Sequence, residues 1–181
     1  MSTAWHVILL RAVLLVAVLG IPFTAFFILA LRYFYLLGAL WGDGGALASI
    51  MWHNGWALAF PAISGGGSSL GTHMNLVFWL TSSLSWLLPL GKVQFFALFT
   101  RLVQALMALP VYWLRADTQE KRPAYLAGAA LLAILFAFNG IVLAAARNPH
   151  FELLIIASGM MFIAALARGR LLIAIAFLSS V

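Results

Sequence analysis

The chain has 181 residues, of which 65% are hydrophobic and 8% are charged, and its mean hydropathy is +1.10. A soluble domain carries roughly 25% charged residues, so this composition excludes a water-soluble globular protein and indicates an integral membrane protein. The net charge of +6 comes from scattered Lys and Arg residues with no basic stripe, which argues against a nucleic-acid partner. The chain contains no cysteine, which excludes disulfides and thiolate metal sites.

The apolar runs predict an all-α protein with a single transmembrane domain over residues 1–181. Val13–Leu31 has the length needed to cross a hydrocarbon core of about 30 Å. Further crossings are predicted at Val93–Leu114, Ala124–Ala146 and Phe151–Ala167. The last run, Leu171–Val181, gives roughly 16 Å of helix and is too short to span. The sequence therefore predicts about four transmembrane helices and a half-length apolar helix.

Residues 32–92 are predicted to form a long outer loop with interfacial or re-entrant helices. Glycines interrupt this region, and five of the seven tryptophans lie between Trp41 and Trp86. Tryptophan favours the membrane–water interface because its ring is apolar while its N–H needs a partner. The run Leu76–Leu90 contains several polar residues and gives only about 22 Å of helix, so we predict that it does not cross.

Basic residues orient this topology, because cytoplasmic loops of membrane proteins are enriched in Lys and Arg. An N-terminus in the cytoplasm leaves only Arg32 and Arg147 outside, with Lys92 at a helix end. Apart from Arg101, which lies within a predicted crossing, the remaining basic residues then lie inside: Arg11, Arg115, Lys121, Arg122, Arg168 and Arg170. We therefore predict that the N-terminus is cytoplasmic.

Two acidic residues on the predicted outer side are candidate catalytic groups. Asp43 precedes a predicted short helix, where its carboxylate either caps the helix, acts as a general base, or binds a metal or a phosphate-bound metal. Glu152 stands at the start of a predicted crossing, where it either complements the helix dipole or belongs to a site. A carboxylate at a membrane boundary is costly unless it is solvated or paired. The interpretations of each residue stay open.

Three further residues are candidate contacts for a lipid phosphate or another substrate. His73 and His150 lie in predicted outer segments, where a histidine can equally be a polar residue at a helix start. Arg101 lies inside a predicted crossing, one turn from Gln104. Its side chain either reaches the outer surface along its flexible stem or has a buried partner. The pattern predicts no metal site and indicates no particular cofactor.

Four short motifs follow one another between Asp43 and Glu152. They are Asp43, Gly45, Trp52 and Asn54; Leu70-Gly71-Thr72-His73; Leu109-Pro110-Val111-Tyr112; and His150-Phe151-Glu152. In this order they make the chain similar to the N-terminal part of the DUF2079 family of membrane proteins. That family is related to the GT-C glycosyltransferases, which use sugars linked to polyprenyl phosphate.

The resemblance implies a first crossing, a long outer loop, and acidic residues of the first two outer loops at an active site. It implies that Asp43, His150 and Glu152 approach one another. In an active glycosyltransferase of this kind, Asp43 would be the base, with Arg101 or His150 near the lipid phosphate. It also suggests a bacterial inner membrane. The chain departs from the family pattern at Ala48 and Ser49, which replace an Asp and a Gln. GT-C enzymes also continue through more crossings than this sequence contains.

From these departures we expect a non-catalytic, glycosyltransferase-derived accessory subunit of a larger membrane complex. Its partners would be the lipid bilayer, other membrane subunits and a polyprenyl-phosphate lipid. Small residues offer faces for neighbouring helices, namely Gly128, Ala129 and Ala133, and Ala157, Gly159 and Ala164. The alternatives are an active glycosyltransferase using a polyprenyl-phosphate-linked sugar, and a small transporter or channel. The scarcity of polar residues in the crossings disfavours a transporter or channel.

Overall fold

The structure is a computed structural model that describes residues 3–35, 83–116, 122–147 and 152–178. Within these ranges the chain is helical, with no strand, which confirms the predicted all-α class. The helices are α1 Thr3–Tyr35, α2 Lys92–Leu106, α3 Ala108–Arg115, α4 Pro123–Ala137, α5 Gly140–Arg147, α6 Glu152–Ala167 and α7 Leu171–Leu178. Two helical segments are long and apolar enough to cross a membrane, Trp5–Tyr33 and Val93–Arg115.

Helix α1 is longer than the apolar run that predicts it. It has 33 residues, so it is about 50 Å long at 1.5 Å per residue. The predicted crossing Val13–Leu31 lies inside it, and the flanking residues continue the helix because they contain neither glycine nor proline. Its buried positions repeat every four residues, at Val18, Pro22, Phe26 and Ala30. Helix α1 is therefore fully buried along one narrow stripe, with partly buried residues such as Leu10 and Leu14 beside it. Large apolar side chains of its other faces are exposed.

Helices α2 and α3 together form the second candidate span, with an irregular turn at Met107. The amide of Met107 donates to Gln104 O at 3.1 Å, so this hydrogen bond spans three residues, as in a 3-10 turn, rather than the four of an α-helix. Pro110 follows three residues later and is fully buried. Its ring has no N–H and clashes with the carbonyl four residues earlier, at Leu106, which explains why the helix is interrupted here.

The predicted crossing Ala124–Ala146 is two helices rather than one, so the prediction of a continuous helix is wrong. Helix α4 ends at Ala137 and α5 begins at Gly140. The side chain of Asn139 bridges the break: its Oδ1 accepts from the amides of Ile141 and Val142 at 2.9 and 3.0 Å, and its Nδ2 donates to Phe136 O at 2.6 Å. Asn139 is thus an N-cap that supplies the hydrogen bonds lost at the interruption.

Helices α6 and α7 form a hairpin around Gly169. This glycine has φ +65°, a left-handed conformation that other residues rarely adopt. The amide of Gly169 donates to Leu166 O at 2.9 Å and that of Arg170 to Ala165 O at 2.8 Å, which is the Schellman pattern of a helix C-terminus. The half-length helix predicted at Leu171–Val181 is α7, described as far as Leu178.

The helices run alternately up and down. Gln94 Nε2, in the first turn of α2, donates to Tyr35 Oη at the end of α1 at 2.9 Å, so these two helices are antiparallel. Arg168, after α6, donates to the carbonyl oxygens of Trp113 and Ala116, which brings the C-terminal ends of α6 and α3 together. The principal core lies where α1, α3 and α4 meet.

Alanines of α4 form much of that core. The buried residues of α4 lie on one face: Leu126, Ala129, Ala130, Ala133 and Ala137. Small side chains allow the backbones of neighbouring helices to approach closely. Ala129, Ala133, Ala157 and Ala164, which the sequence offers as faces for neighbouring helices, are all buried within this chain. Gly128 is exposed and lies on a different face.

We predict that Ala133→Leu will lower the free energy of unfolding by about 1–3 kcal/mol, because the added carbons have no space in a closed core. Ala133 is 0% exposed, whereas Ala127 in the same helix is exposed. The matched control Ala127→Leu should change the stability by less than about 0.5 kcal/mol. Denaturant titration of both variants in detergent measures the difference. Equal stability of the two variants would contradict the packing described for α4.

Candidate functional site

Of the five predicted site residues, Arg101 has a described side chain. Asp43, His73 and His150 lie outside the described residues, and Glu152 is the first residue of α6. The expected approach of Asp43, His150 and Glu152 therefore lies outside the described part of the chain. The same holds for the motif residues before Ser83. Among the residues that the structure does describe, no group of three or more His, Asp or Glu side chains could hold a metal ion.

Arg101 belongs to a buried polar cluster that links two helices. Its side chain is 5% exposed, and its Nη1 donates to Gln104 Oε1 at 2.8 Å. Gln104 is 0% exposed, and its Nε2 donates in turn to the carbonyl oxygen of Val142 in α5 at 3.2 Å. The predicted alternative of a buried partner for Arg101 is therefore confirmed. The partner is the glutamine one turn away, as the i, i+3 spacing on a helix allows.

This cluster holds the helices together and leaves little surface for a ligand. A guanidinium in an apolar interior is strongly unfavourable unless it is hydrogen-bonded, and Gln104 provides an acceptor. Gln104 uses both ends of its amide, one toward Arg101 and one toward the backbone of α5. Because α2 and α5 are connected through α3 and α4, this hydrogen bond closes a long loop of the chain. The arrangement supports a structural role for Arg101.

A second feature, which the sequence did not predict, is an apolar cleft at the opposite end of α1 from Tyr35. It has a volume of about 530 Å³ and is bounded by α1, α3, α6 and α7. The residues that line it include Arg11, Leu15, Leu109, Tyr112, Met161 and Phe177. Tyr112 is 7% exposed, and within the described residues its Oη has no hydrogen-bond partner.

Several arginines lie at the end of the bundle that contains the cleft. Arg11 lines it directly, and Arg168 holds the carbonyl oxygens of Trp113 and Ala116, which are also lining residues. Arg115 ends α3, and Arg170 immediately precedes α7. The N-terminal part of α1 and the C-terminal ends of α3 and α6 therefore share one basic end of the bundle. These arginines are far apart in the sequence. The predicted topology places them on one side of the membrane, but it does not predict a cleft between their helices.

No family model, no curated protein and no solved structure matches the chain. The resemblance to the DUF2079 and GT-C proteins thus rests on the sequence motifs alone. Two candidate spans and an all-helical fold indicate an association with a membrane.

We predict that Gln104→Leu will destabilise the protein by about 1.5–3 kcal/mol, because it removes the acceptor of a buried charged donor. In an Arg101→Leu background the same substitution should lower the unfolding free energy by less, because no charged donor is left that needs this acceptor. A double-mutant cycle of unfolding free energies in detergent measures the coupling between the two residues. Thr100→Val is the matched control, because the Thr100 hydroxyl donates to Phe96 O within its own helix, at 2.8 Å. Equal costs of Gln104→Leu in the two backgrounds would show that Arg101 does not depend on Gln104.

Proposed function

We propose that the chain is a non-catalytic structural subunit of a larger assembly in the bacterial inner membrane, with its N-terminus in the cytoplasm. The observation that carries this proposal is the use of Arg101 inside the fold. The sequence offers Arg101 as a contact for a lipid phosphate, yet its side chain is 5% exposed and donates to Gln104. A phosphate at this position would have to open a closed contact between α2 and α5.

The exposed surface of α1 supports a role in packing against other molecules. In the most apolar window of Trp5–Tyr33, 17% of the residues are buried, compared with 67% for Val93–Arg115. The side chains left open are large and apolar, for example Leu9 and Val16, which are 65% and 70% exposed. Exposing apolar surface to water costs free energy, roughly 25 cal/mol per Å². Lipid tails or apolar helices of another subunit would cover it.

The proposed topology has crossings formed by α1, by α2 with α3, by α4 with α5, and by α6. The shared basic end of the bundle supports it, because Arg11, Arg115 and Arg168 all lie at the end that the positive-inside rule assigns to the cytoplasm. Helix α7 then returns from the cytoplasmic side along α6.

The orientation can be tested by single-cysteine labelling, since the chain has no native cysteine. We expect a cysteine introduced by Gln119→Cys to be protected from a membrane-impermeant maleimide in intact cells and labelled after permeabilisation. Asn75→Cys, in the predicted outer loop, is the matched control and should be labelled in intact cells. Labelling of the Gln119→Cys variant in intact cells would overturn the topology.

The subunit role can be tested by photo-crosslinking from α1 in native membranes. A photoreactive amino acid in place of Val16, which is 70% exposed, should yield a protein adduct of defined mass. The same amino acid in place of Val18, which is 0% exposed, should give only internal crosslinks. Lipid adducts alone at position 16 would contradict a subunit contact through this face of α1.

An activity measurement tests the opposite outcome. The isolated chain, reconstituted with a polyprenyl-phosphate-linked sugar, should transfer no sugar. Transfer that is abolished by Asp43→Asn would overturn the non-catalytic role and favour the active glycosyltransferase that the sequence motifs resemble.

A further inference from the structure

We propose that the cleft between α1, α3, α6 and α7 binds an anionic phospholipid, with an acyl chain between the helices and the phosphate headgroup beside Arg11. This inference requires that the protein is embedded in a bilayer, but it does not depend on the subunit role proposed above.

The walls of the cleft select an apolar ligand. Leu15, Leu109, Met161, Ile173 and Phe177 line most of it. Its volume of about 530 Å³ lies within the range of sites that hold small ligands. Protein interiors are otherwise close-packed, and water gains few hydrogen bonds in a space with such walls. A hydrocarbon chain is the occupant that a bilayer supplies to an apolar cleft of this kind.

The charge at one end selects an anionic headgroup. Arg11 lines the cleft, and Arg168 donates hydrogen bonds to the carbonyl oxygens of its lining residues Trp113 and Ala116. The connection between α3 and α4 carries Asp117 and Glu120, but three basic residues accompany them: Arg115, Lys121 and Arg122. The end as a whole is therefore positive. Basic pockets between membrane helices recognise anionic lipid headgroups through this combination of charge and apolar wall.

Tyr112 provides the second, independent sign of a ligand. Its side chain lines the cleft, and within the described part of the chain its hydroxyl lacks a hydrogen-bond partner. A buried hydroxyl without a partner destabilises a fold, so such a group is usually satisfied by another molecule or by water. Arg11 lines the same cleft. A phosphate or ester oxygen that enters beside Arg11 would be an acceptor for the Tyr112 hydroxyl.

Native mass spectrometry of the full chain in detergent tests this inference. The probes are phosphatidylglycerol and phosphatidylcholine with identical acyl chains, and inorganic phosphate as a competitor. We expect phosphatidylglycerol to bind about fivefold more tightly than phosphatidylcholine. This is the gain in affinity that one basic residue gives toward an anionic lipid at a membrane surface. Inorganic phosphate should not displace it, because the apolar walls contribute to lipid binding. Equal binding of the two lipids, or displacement by phosphate alone, would overturn the inference.

Variants identify the residues responsible. Arg11→Gln should weaken phosphatidylglycerol binding about fivefold, whereas Arg11→Lys should retain most of it. Arg32→Gln, at the other end of α1, is the matched charge control and should leave binding unchanged. Tyr112→Phe should weaken binding about twofold to tenfold through the loss of one hydrogen bond. Equal effects of Arg11→Gln and Arg32→Gln would show that lipid does not bind at this cleft.

A further variant keeps the test decisive if Arg11→Gln fails to fold. Ala12 is exposed and lies on the wall of the cleft, so Ala12→Phe narrows the space without changing any charge. It should weaken phosphatidylglycerol binding while leaving the denaturation midpoint unchanged. Unaltered lipid binding in the Ala12→Phe variant would contradict an acyl chain in the cleft.

Discussion

The constraint on which the rest of this fold depends is that every interruption of an apolar helix must replace the backbone hydrogen bonds that it breaks. An unsatisfied amide or carbonyl in an apolar environment costs several kcal/mol. At the helix interruptions in the described part of the chain, nearby groups supply replacement hydrogen bonds. Met107 donates to Gln104 O, the Asn139 side chain caps α5, and Gly169 closes the end of α6.

The same constraint governs the buried polar side chains. Gln104 accepts a hydrogen bond from the guanidinium of Arg101 within α2 and donates one to the carbonyl oxygen of Val142 in α5. A residue that looks functional in the sequence therefore belongs to a cluster that joins two helices. Such a cluster favours this arrangement of α2 and α5, since another packing would break the hydrogen bond between Gln104 and Val142 in an apolar interior. The proposal of a structural subunit follows from this use of Arg101 together with the open apolar surface of α1.

The described charged residues lie mainly toward the ends of the helical bundle rather than on its sides. The sides are apolar, as the exposed residues of α1 illustrate, whereas Arg11, Arg115 and Arg168 lie at one end. In the topology that we propose, this asymmetry sets the orientation of the bundle. It also places the basic residue Arg11 on the wall of the cleft that Tyr112 lines. Orientation and lipid recognition would then use the same residues, which is efficient for a chain with so few charges.

The sequence by itself determined the all-α class and the approximate positions of the long helices, because the length of an apolar run and its breakers are local properties. It also identified Gln104 as a neighbour of Arg101, since one helical turn separates them. It offered a cue at Asn139-Gly140, a polar cap followed by a small residue, that the prediction of a continuous crossing overlooked. The tertiary structure alone decided that Ala129 and Ala133 pack inside the chain, that Gln104 reaches Val142, and that Arg11 and Tyr112 border one cleft. These pairings join residues far apart in the chain, and they depend on which helix faces meet, a choice that side-chain packing makes and hydropathy cannot encode.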